Sequence, residues 1–476
     1  MIRKLALATL VSTVCSFTAA PALAIQSSGP LSLQNGYPVW WMDDAGFQVG
    51  MCLDAACIPD GVQAGNAFSQ QIGFGAEAFW WMADADLGNP AGLGLLVLAM
   101  EAAWLTETAR NGDQFPFGRL RVRVDVEVPG AYTITHPFGA VTVTVPAVGP
   151  GPEITDADFA IIGGDVAGTR DQVPPYAGVL ASSITHFFSV AGPGRPAPGA
   201  LFSGFGAIAS SNAGGTLPVN NFFRVSGPVG AFGPGVSVLT TSTFSVAGRA
   251  FNPGVNAPPT AVADAVVAFE GVPLDIDVTA NDTDVIGAAN VHGINAKATA
   301  IVGGAGAKTL AIAGTTLTYG AGEAVTTTAG GTVSKNPTGT LKYTPPAGFT
   351  GVDSFQYVVQ DTGGLVSGQT TPTSPIVPGT VSVIIEDLAV TSAVLHGRIL
   401  KWTVSGTSTA PDGTVISLFA GPAADPTKPV GTAVVTGGVW RFVGKSMTSY
   451  AGIRQVSARS ATSPLIVVLG APLAVR

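Results

Sequence analysis

Charge is scarce in this sequence: Asp, Glu, Lys and Arg make up 11% of its 476 residues, against 46% hydrophobic ones. The formal net charge is −8, and no basic cluster is denser than Arg119, Arg121 and Arg123. That leaves no positive footprint for a phosphate backbone and argues against nucleic acid as a partner. Long apolar runs are missing too. After residue 24 no stretch reaches the roughly 18 uninterrupted apolar residues of a membrane-spanning helix, so no transmembrane segment is expected. Histidine is confined to positions 136, 186, 292 and 396, each isolated, and neither an H-E-x-x-H nor a G-x-S-x-G word occurs. These gaps point away from an enzyme.

Cysteine is nearly absent, with three in all. The first, Cys15, falls in "MIRKLALATLVSTVCSFTAAPALA", where basic Arg3 and Lys4 precede an apolar run and Ala22 and Ala24 form a small-x-small cleavage pattern. A signal peptide over 1–24 is expected, and with it export to the cell surface or medium. Val14 is too bulky for the small residue that a lipid-attachment box prefers before Cys15. The mature chain then keeps Cys52 and Cys57 in "CLDAAC". Two Cys without nearby His do not make a zinc site, and the spacing is not C-x-x-C. In an oxidising compartment a local disulfide is the expectation.

Gly (62) and Pro (35) are abundant, and Thr, Val, Ser and Ala fill much of the rest. Such a mixture favours strands joined by tight turns, so the fold class expected is all-β, as tandem β-sandwiches. The chain is too long for one core. Pro, Gly and Asn concentrate in "NPGVNAPPTAVAD" as in linkers, and a second break follows "TVSVIIED". The mature domains are therefore 25–254, 255–387 and 388–476, and the last two, each long enough for its own sandwich, are expected to fold alone.

In the middle domain, "GTLKYTPPAGFTGVDSFQYVV" alternates apolar Leu341 and Tyr343 with Lys342 and Thr344, turns at "PPAG" and resumes with Phe355, Tyr357 and Val359. This is a hairpin unit packing one face onto a core. Together with "NAPPTAVADAVVAFEGVPLDIDVTANDTD", "VVQDTGGLVS" and "VSVIIED" it resembles the cadherin-like, immunoglobulin-type tandem repeats of large bacterial surface proteins and adhesins. The resemblance implies spacer or adhesion modules and a calcium site near a domain end, with Glu270, Asn281, Asp282, Asp284 and Asp361 as ligands. Loop oxygens suit calcium, yet Asn and Asp equally build plain turns, and "VADAV" offers only Asp264 where a paired Asp is common in the repeats. The segment from "LAVTSAVLHGRILKWTVSGTST" is similar to another bacterial Ig-like module, with Trp402 and Trp440 as core anchors. "VGKS" at 443–446 is not a phosphate loop, since Val439 stands where the first Gly belongs.

The first mature domain carries two near-identical words, "VWWMDDAG" at 39–46 and "FWWMADAD" at 79–86. Neighbouring strand residues face opposite sides, so Trp40 and Trp41, and again Trp80 and Trp81, are expected to split between the core and some other cover. That cover is a loop, the other outward Trp, or a sugar stacked on a flat ring. "GRLRVRVDVEV" alternates strictly, with Leu120, Val122, Val124, Val126 and Val128 inward; "LLVLAMEAAW" reads as a strand by the period-two face of Leu96, Leu98, Met100, Ala102 and Trp104, although its composition also suits a short helix. The words of this domain are similar to a recurring type of secreted bacterial protein, a likeness that implies no activity. His136 after a strand, with Arg119 or Asp113, and the carboxylate pairs Asp43/Asp44 and Asp84/Asp86 are the residues to weigh for catalysis. Two functions follow from this pattern. One is an exported, non-enzymatic protein whose Ig-like modules act as spacers or adhesive units behind an N-terminal domain that binds a protein or glycan. The other is a carbohydrate-active protein that binds or hydrolyses sugar with the Trp-rich strands.

Overall fold

The computed structural model describes residues 25–149, 174, 176–190, 196–210, 220–284, 291–302, 309–312, 315–318, 324–371, 374–397, 399–445, 454–462 and 472–476. The expected signal peptide lies outside them. Among the described residues the regular secondary structure is almost wholly strand, with one α-helix, Ala67–Ile72, and a 3-10 turn at Ala177–Ala181. The Asn66 side chain caps that helix by accepting from the Phe68 and Ser69 N–H groups, and Gly73, at φ +89°, ends it. No described helix is long and apolar enough to cross a membrane.

In the first domain a nine-stranded sheet faces a four-stranded one. The long antiparallel strands Glu77–Asp86, Gly94–Trp104 and Gln114–Val124 form its centre. Alternation decides their faces. Leu96, Leu98, Met100, Leu120, Val122 and Val124 point inward against Tyr132, Ile134, Phe223 and Val225 of the smaller sheet, and all are buried in one cluster. "LLVLAMEAAW" is thus strand throughout.

The Trp pairs do not both behave as strand geometry alone dictates. Trp41 is fully buried and Trp40 half-buried, split as expected. Trp80 and Trp81, however, are both fully buried in the same cluster. A register shift between Phe79 and Trp81, where the strand bulges against Gly94–Trp104, supplies the reason: a bulge inserts one residue and re-aims its neighbours. Trp80 donates from Nε1 to Pro38 O and Trp81 to Phe188 O, so each buried indole N–H finds an acceptor. The two words meet in space, with Trp41 edge-on to Trp80 at 5.8 Å.

The middle domain packs a six-stranded sheet on a four-stranded one, with Ile276, Val333, Leu341, Tyr343, Phe355, Tyr357, Val381 and Val383 between them. Its first strand, Asp264–Phe269, runs parallel to its last, Gly379–Glu386. The third domain is a sandwich of four and three strands around Trp402 and Trp440, both buried as their anchoring role requires.

Candidate functional site

The two words at the start of the mature chain lead to the joint between the first and middle domains. Residues 31–38, "LSLQNGYP", form a tight hairpin loop: Leu31 bridges Pro38, Ser32 N–H donates to Tyr37 O, and Gly36 takes the left-handed turn at φ +77°. At the tip Leu33, fully buried, leaves its own domain and packs among Ala298, Ala300, Val358, Val366 and Ile376 of the middle one. Gln360 accepts from the Leu33 N–H at 2.7 Å and donates from Nε2 to Leu31 O at 2.8 Å. The Leu33 carbonyl accepts from Lys335 Nζ at 3.3 Å, and the same amine reaches Thr299 O at 2.8 Å. Both backbone groups of a residue inserted into foreign apolar surroundings are therefore satisfied. Burial, with no carboxylate to offset it, pulls Lys335 down to about 7.

Around this plug the joint is close. Asn295 Nδ2 donates to Gln34 Oε1 at 2.9 Å. A Cβ on Gly364 would stand 2.4 Å from Pro30. Trp40 lies against Phe251, 6.0 Å between centroids, and Phe251 stacks on His292 at 5.4 Å. The His292 ring nitrogens face Asn252 O and Thr362 Oγ1. Half-buried Trp40 thus finds its cover in an aromatic ladder that crosses the joint.

Beside the ladder lies a cleft of about 470 Å³ whose walls come from both domains. Met51, Leu53 and Arg249 stand on one side; Val291, His292, Asn295 and Asp361 stand on the other. Arg249 is paired with Asp54 at 2.6 Å. Asp361 is 1% exposed, and its Oδ1 accepts from Leu365 N–H at 2.9 Å. Burial raises its carboxyl to about 6, against hydrogen bonds from Asn256 and from the backbone of residues 363–365.

The residues singled out from the sequence are not gathered into one site. Of the four tryptophans weighed as a ligand platform, Trp41, Trp80 and Trp81 have no accessible ring, because the bulge and the facing sheet bury them. The calcium set is dispersed. Glu270 accepts from Gly348 N–H, Asn281 donates to Ala263 O, and Asp282 takes Val262 N–H and the Tyr357 hydroxyl. Asp284 acts electrostatically on His292, and Asp361 sits in the cleft. Among the described residues no group of three or more His, Cys, Asp or Glu is placed to hold a metal ion.

The catalytic candidates are engaged in structure. His136 is buried, accepts from Phe138 N–H and is pushed down to about 4 by desolvation. Arg119 is bound to buried Glu101 at 2.8 Å, and Asp113 to Arg110 at 3.9 Å. Asp43 accepts from the Ala45, Phe47 and Phe187 N–H groups, and Asp44 pairs with His186. Asp86 receives Gly88 N–H. Burial alone raises Asp84 to about 6. Cys52 and Cys57 are joined as a disulfide, Cα atoms 5.6 Å apart. Leu33, Lys335 and Gln360, which make the joint, carry no local signature in the sequence.

Residues 256–374 match the family model described as a bacterial Ig domain, and the middle domain, with its two packed sheets, is a bacterial Ig-like domain. No curated protein matches the chain in sequence. Among solved structures it is similar to SGBP-B of a Bacteroides ovatus mixed-linkage glucan utilization locus, in complex with a mixed-linkage heptasaccharide. That likeness has 12% identity, covers 54% of this chain and 52% of the other, and has a TM-score of 0.12. The chain thus spans about half the length of that protein. A second likeness, to a 1.5-MDa bacterial ice-binding adhesin studied for retention at the host cell surface, has 12% identity, covers 81% and 93%, and has a TM-score of 0.15. Superpositions this loose carry no argument about function.

Proposed function

We propose that this is an exported, non-enzymatic bacterial surface or secreted protein in which the Ig-like modules carry and hold an N-terminal binding domain, with a glycan or protein of a cell surface as its partner. The observation behind this reading is the plug of Leu33 into the Ig domain. Both of the tip's backbone groups are claimed by side chains of its neighbour, which is how a domain is held at a fixed place on a stalk. The signal-peptide pattern agrees with export. The use of His136, Arg119 and Asp43 in structural contacts supports a binding role. Labelled mature protein, incubated with intact bacterial and host cells and with a glycan array, should bind a defined subset. Uniform absence of binding would remove the reading.

Calcium is proposed for the loop of Asn281, Asp282 and Asp284, with help from Glu270 or Asp361. Burial and the nearby Asp277 raise the Asp282 carboxyl. A bound cation would relieve that cost and stabilise the fold. Melting with calcium and with chelator should differ, and the difference should vanish in Asp282→Ala; coincident melts would leave an ordinary Asx turn.

A further inference from the structure

We propose that the end of the last domain farthest from the Ig domain docks on a lipid bilayer whose surface carries phosphate groups, with Ile399 and Leu400 entering the headgroup layer and Lys401, Lys445, Arg454 and Arg476 meeting the phosphates. The proposal concerns how the chain is kept at a surface and stands apart from what the N-terminal domain binds.

Charge is spread unevenly along the chain. Residues 388–476 hold 8 of the 22 Lys and Arg but only 2 of the 30 Asp and Glu, Asp412 and Asp425. An acidic chain thus carries one basic domain, an asymmetry that points to an anionic partner. No single word of the sequence shows a basic cluster, because these residues stand far apart along the chain.

The sandwich gathers them at one end. Strand Leu388–His396 starts at the joint, where Leu388 shares a core with Phe269, and its last residue lies roughly 25 Å away at the usual rise per residue. There Lys401 opens the next strand opposite His396, and Lys445 closes the strand beyond, directly opposite Lys401. Arg476 follows Ala474–Val475, which runs parallel beside Leu388–His396, and its N–H donates to Leu395 O at 2.9 Å. Arg454 is tied to the same edge through its carbonyl, which accepts from Leu473 N–H at 2.7 Å. Lys445, Arg454 and Arg476 are exposed and Lys401 is half-buried. Among the described residues none of the four is paired with a carboxylate. The two acids of the domain are answered elsewhere, Asp425 by Lys428 at 3.2 Å and Asp412 by the Gly437 N–H near the joint.

Apolar side chains stand out among these cations. In the turn that joins the first two strands, Ile399 is 54% exposed and Leu400 40%, and Val475, beside Gly397 of that turn, is 55% exposed. One such residue alone is ordinary; three together at one end, ringed by cations, form the surface of an interfacial anchor. Leu400 also holds φ +49°, a left-handed conformation that glycine or asparagine takes at little cost and leucine does not. Leucine is a poor choice for the turn and a good one for a tip that enters apolar matter.

The combination selects the partner. Nucleic acid or an acidic protein would use the cations and leave the isoleucine and leucine in water. A bilayer uses both, phosphates for the cations and the acyl boundary for the turn.

The test is co-sedimentation of the full mature chain with vesicles of phosphatidylcholine alone and of phosphatidylcholine with phosphatidylglycerol, at about 0.1 M and 1 M salt. Binding should need phosphatidylglycerol and weaken at the higher salt. Lys401→Glu/Lys445→Glu should lower it by about tenfold or more. Leu400→Asn should lower it severalfold without lowering the melting temperature, because asparagine accepts the left-handed turn. Should one variant fail to fold, the other decides alone. Equal binding to both vesicles, binding to neither, or anionic binding that the variants leave intact would overturn the proposal. So would retention on heparin or DNA, or self-association in sedimentation, that Lys401→Glu/Lys445→Glu abolishes while vesicles stay unbound; the end would then serve an anionic polymer or the acidic part of a second copy.

Discussion

Lys335 is an unusual residue to find at a domain joint. Its amine is buried and answered by two carbonyl oxygens, Leu33 O and Thr299 O, with no acid to share the charge. Burial holds it near 7 against an ordinary 10.5. Between those values the unfolded chain carries a proton that the folded chain does not. The folding penalty is therefore complete below about 7 and is relieved as pH rises, so stability must climb through this window, by at most about 1.4 kcal/mol per pH unit. Denaturant melts across that range should show the climb, and Lys335→Met should flatten it while raising stability near neutrality. A wild-type profile already flat there would mean that the amine reaches water. Nothing in "TVSKNPTG" announces this role, because a lysine between Ser and Asn reads as solvated surface. Its burial is decided by a leucine 302 positions away. Cysteine was the opposite case: Cys52 and Cys57 were legible because a five-residue separation makes their pairing a local matter.

Single strands were readable wherever one face is apolar and the other polar. "GRLRVRVDVEV" places Leu120, Val122, Val124 and Val126 inside as its alternation demands. The strand Glu77–Asp86 was not readable to the same depth. Its bulge lies between Phe79 and Trp81, and bulges depend on the partner strand and the core, not on a residue type, so the shared burial of Trp80 and Trp81 has no mark in "FWWM". The loop from Cys52 to Cys57 covers the outer side of this same sheet. Both cysteines pack with Phe79, Ala99 and Ala247, and Cys52 N–H donates to Phe79 O at 2.9 Å. Cross-linking so short a loop contributes at the low end of the usual ~2–4 kcal/mol. Mass spectrometry of secreted protein should find the mature chain two hydrogens lighter than the free dithiol. Cys52→Ser/Cys57→Ser should lower the first domain's melting modestly and leave its β-type circular dichroism intact. A collapse of the whole sandwich would show that the loop supports more than its own neighbourhood.

At the level of the whole molecule composition suggested where the chain divides and left the joints unmarked. The composition of "NPGVNAPPT" suggests a loose linker, yet Asn252 at its start and Phe251 just before it are fixed to His292. The second boundary has almost no linker at all. Strand Gly379–Glu386 passes through Asp387 into Leu388–His396, Asp387 exchanges hydrogen bonds with Thr409, and Phe269 of the Ig domain joins the core of the last one. Joints are built from contacts of high sequence separation, and composition records only the local chain. The Leu33 plug gives the sharpest consequence. An isolated 255–387 fragment would expose the apolar seat of Ala298, Ala300, Val358, Val366 and Ile376, with Gln360 Oε1 deprived of the Leu33 N–H and Lys335 left with Thr299 O. Leu33→Ala in the full chain should cost about 2–5 kcal/mol, the range for emptying a buried leucine site, and should make residues 252–260 newly sensitive to protease. The seat should also be refillable in trans. A synthetic peptide of residues 29–38 should raise the melting temperature of the isolated fragment in proportion to its concentration, and the same peptide with Leu33→Ala should not. A fragment equally stable with either peptide would mean that the first domain rests on the Ig domain without stabilising it.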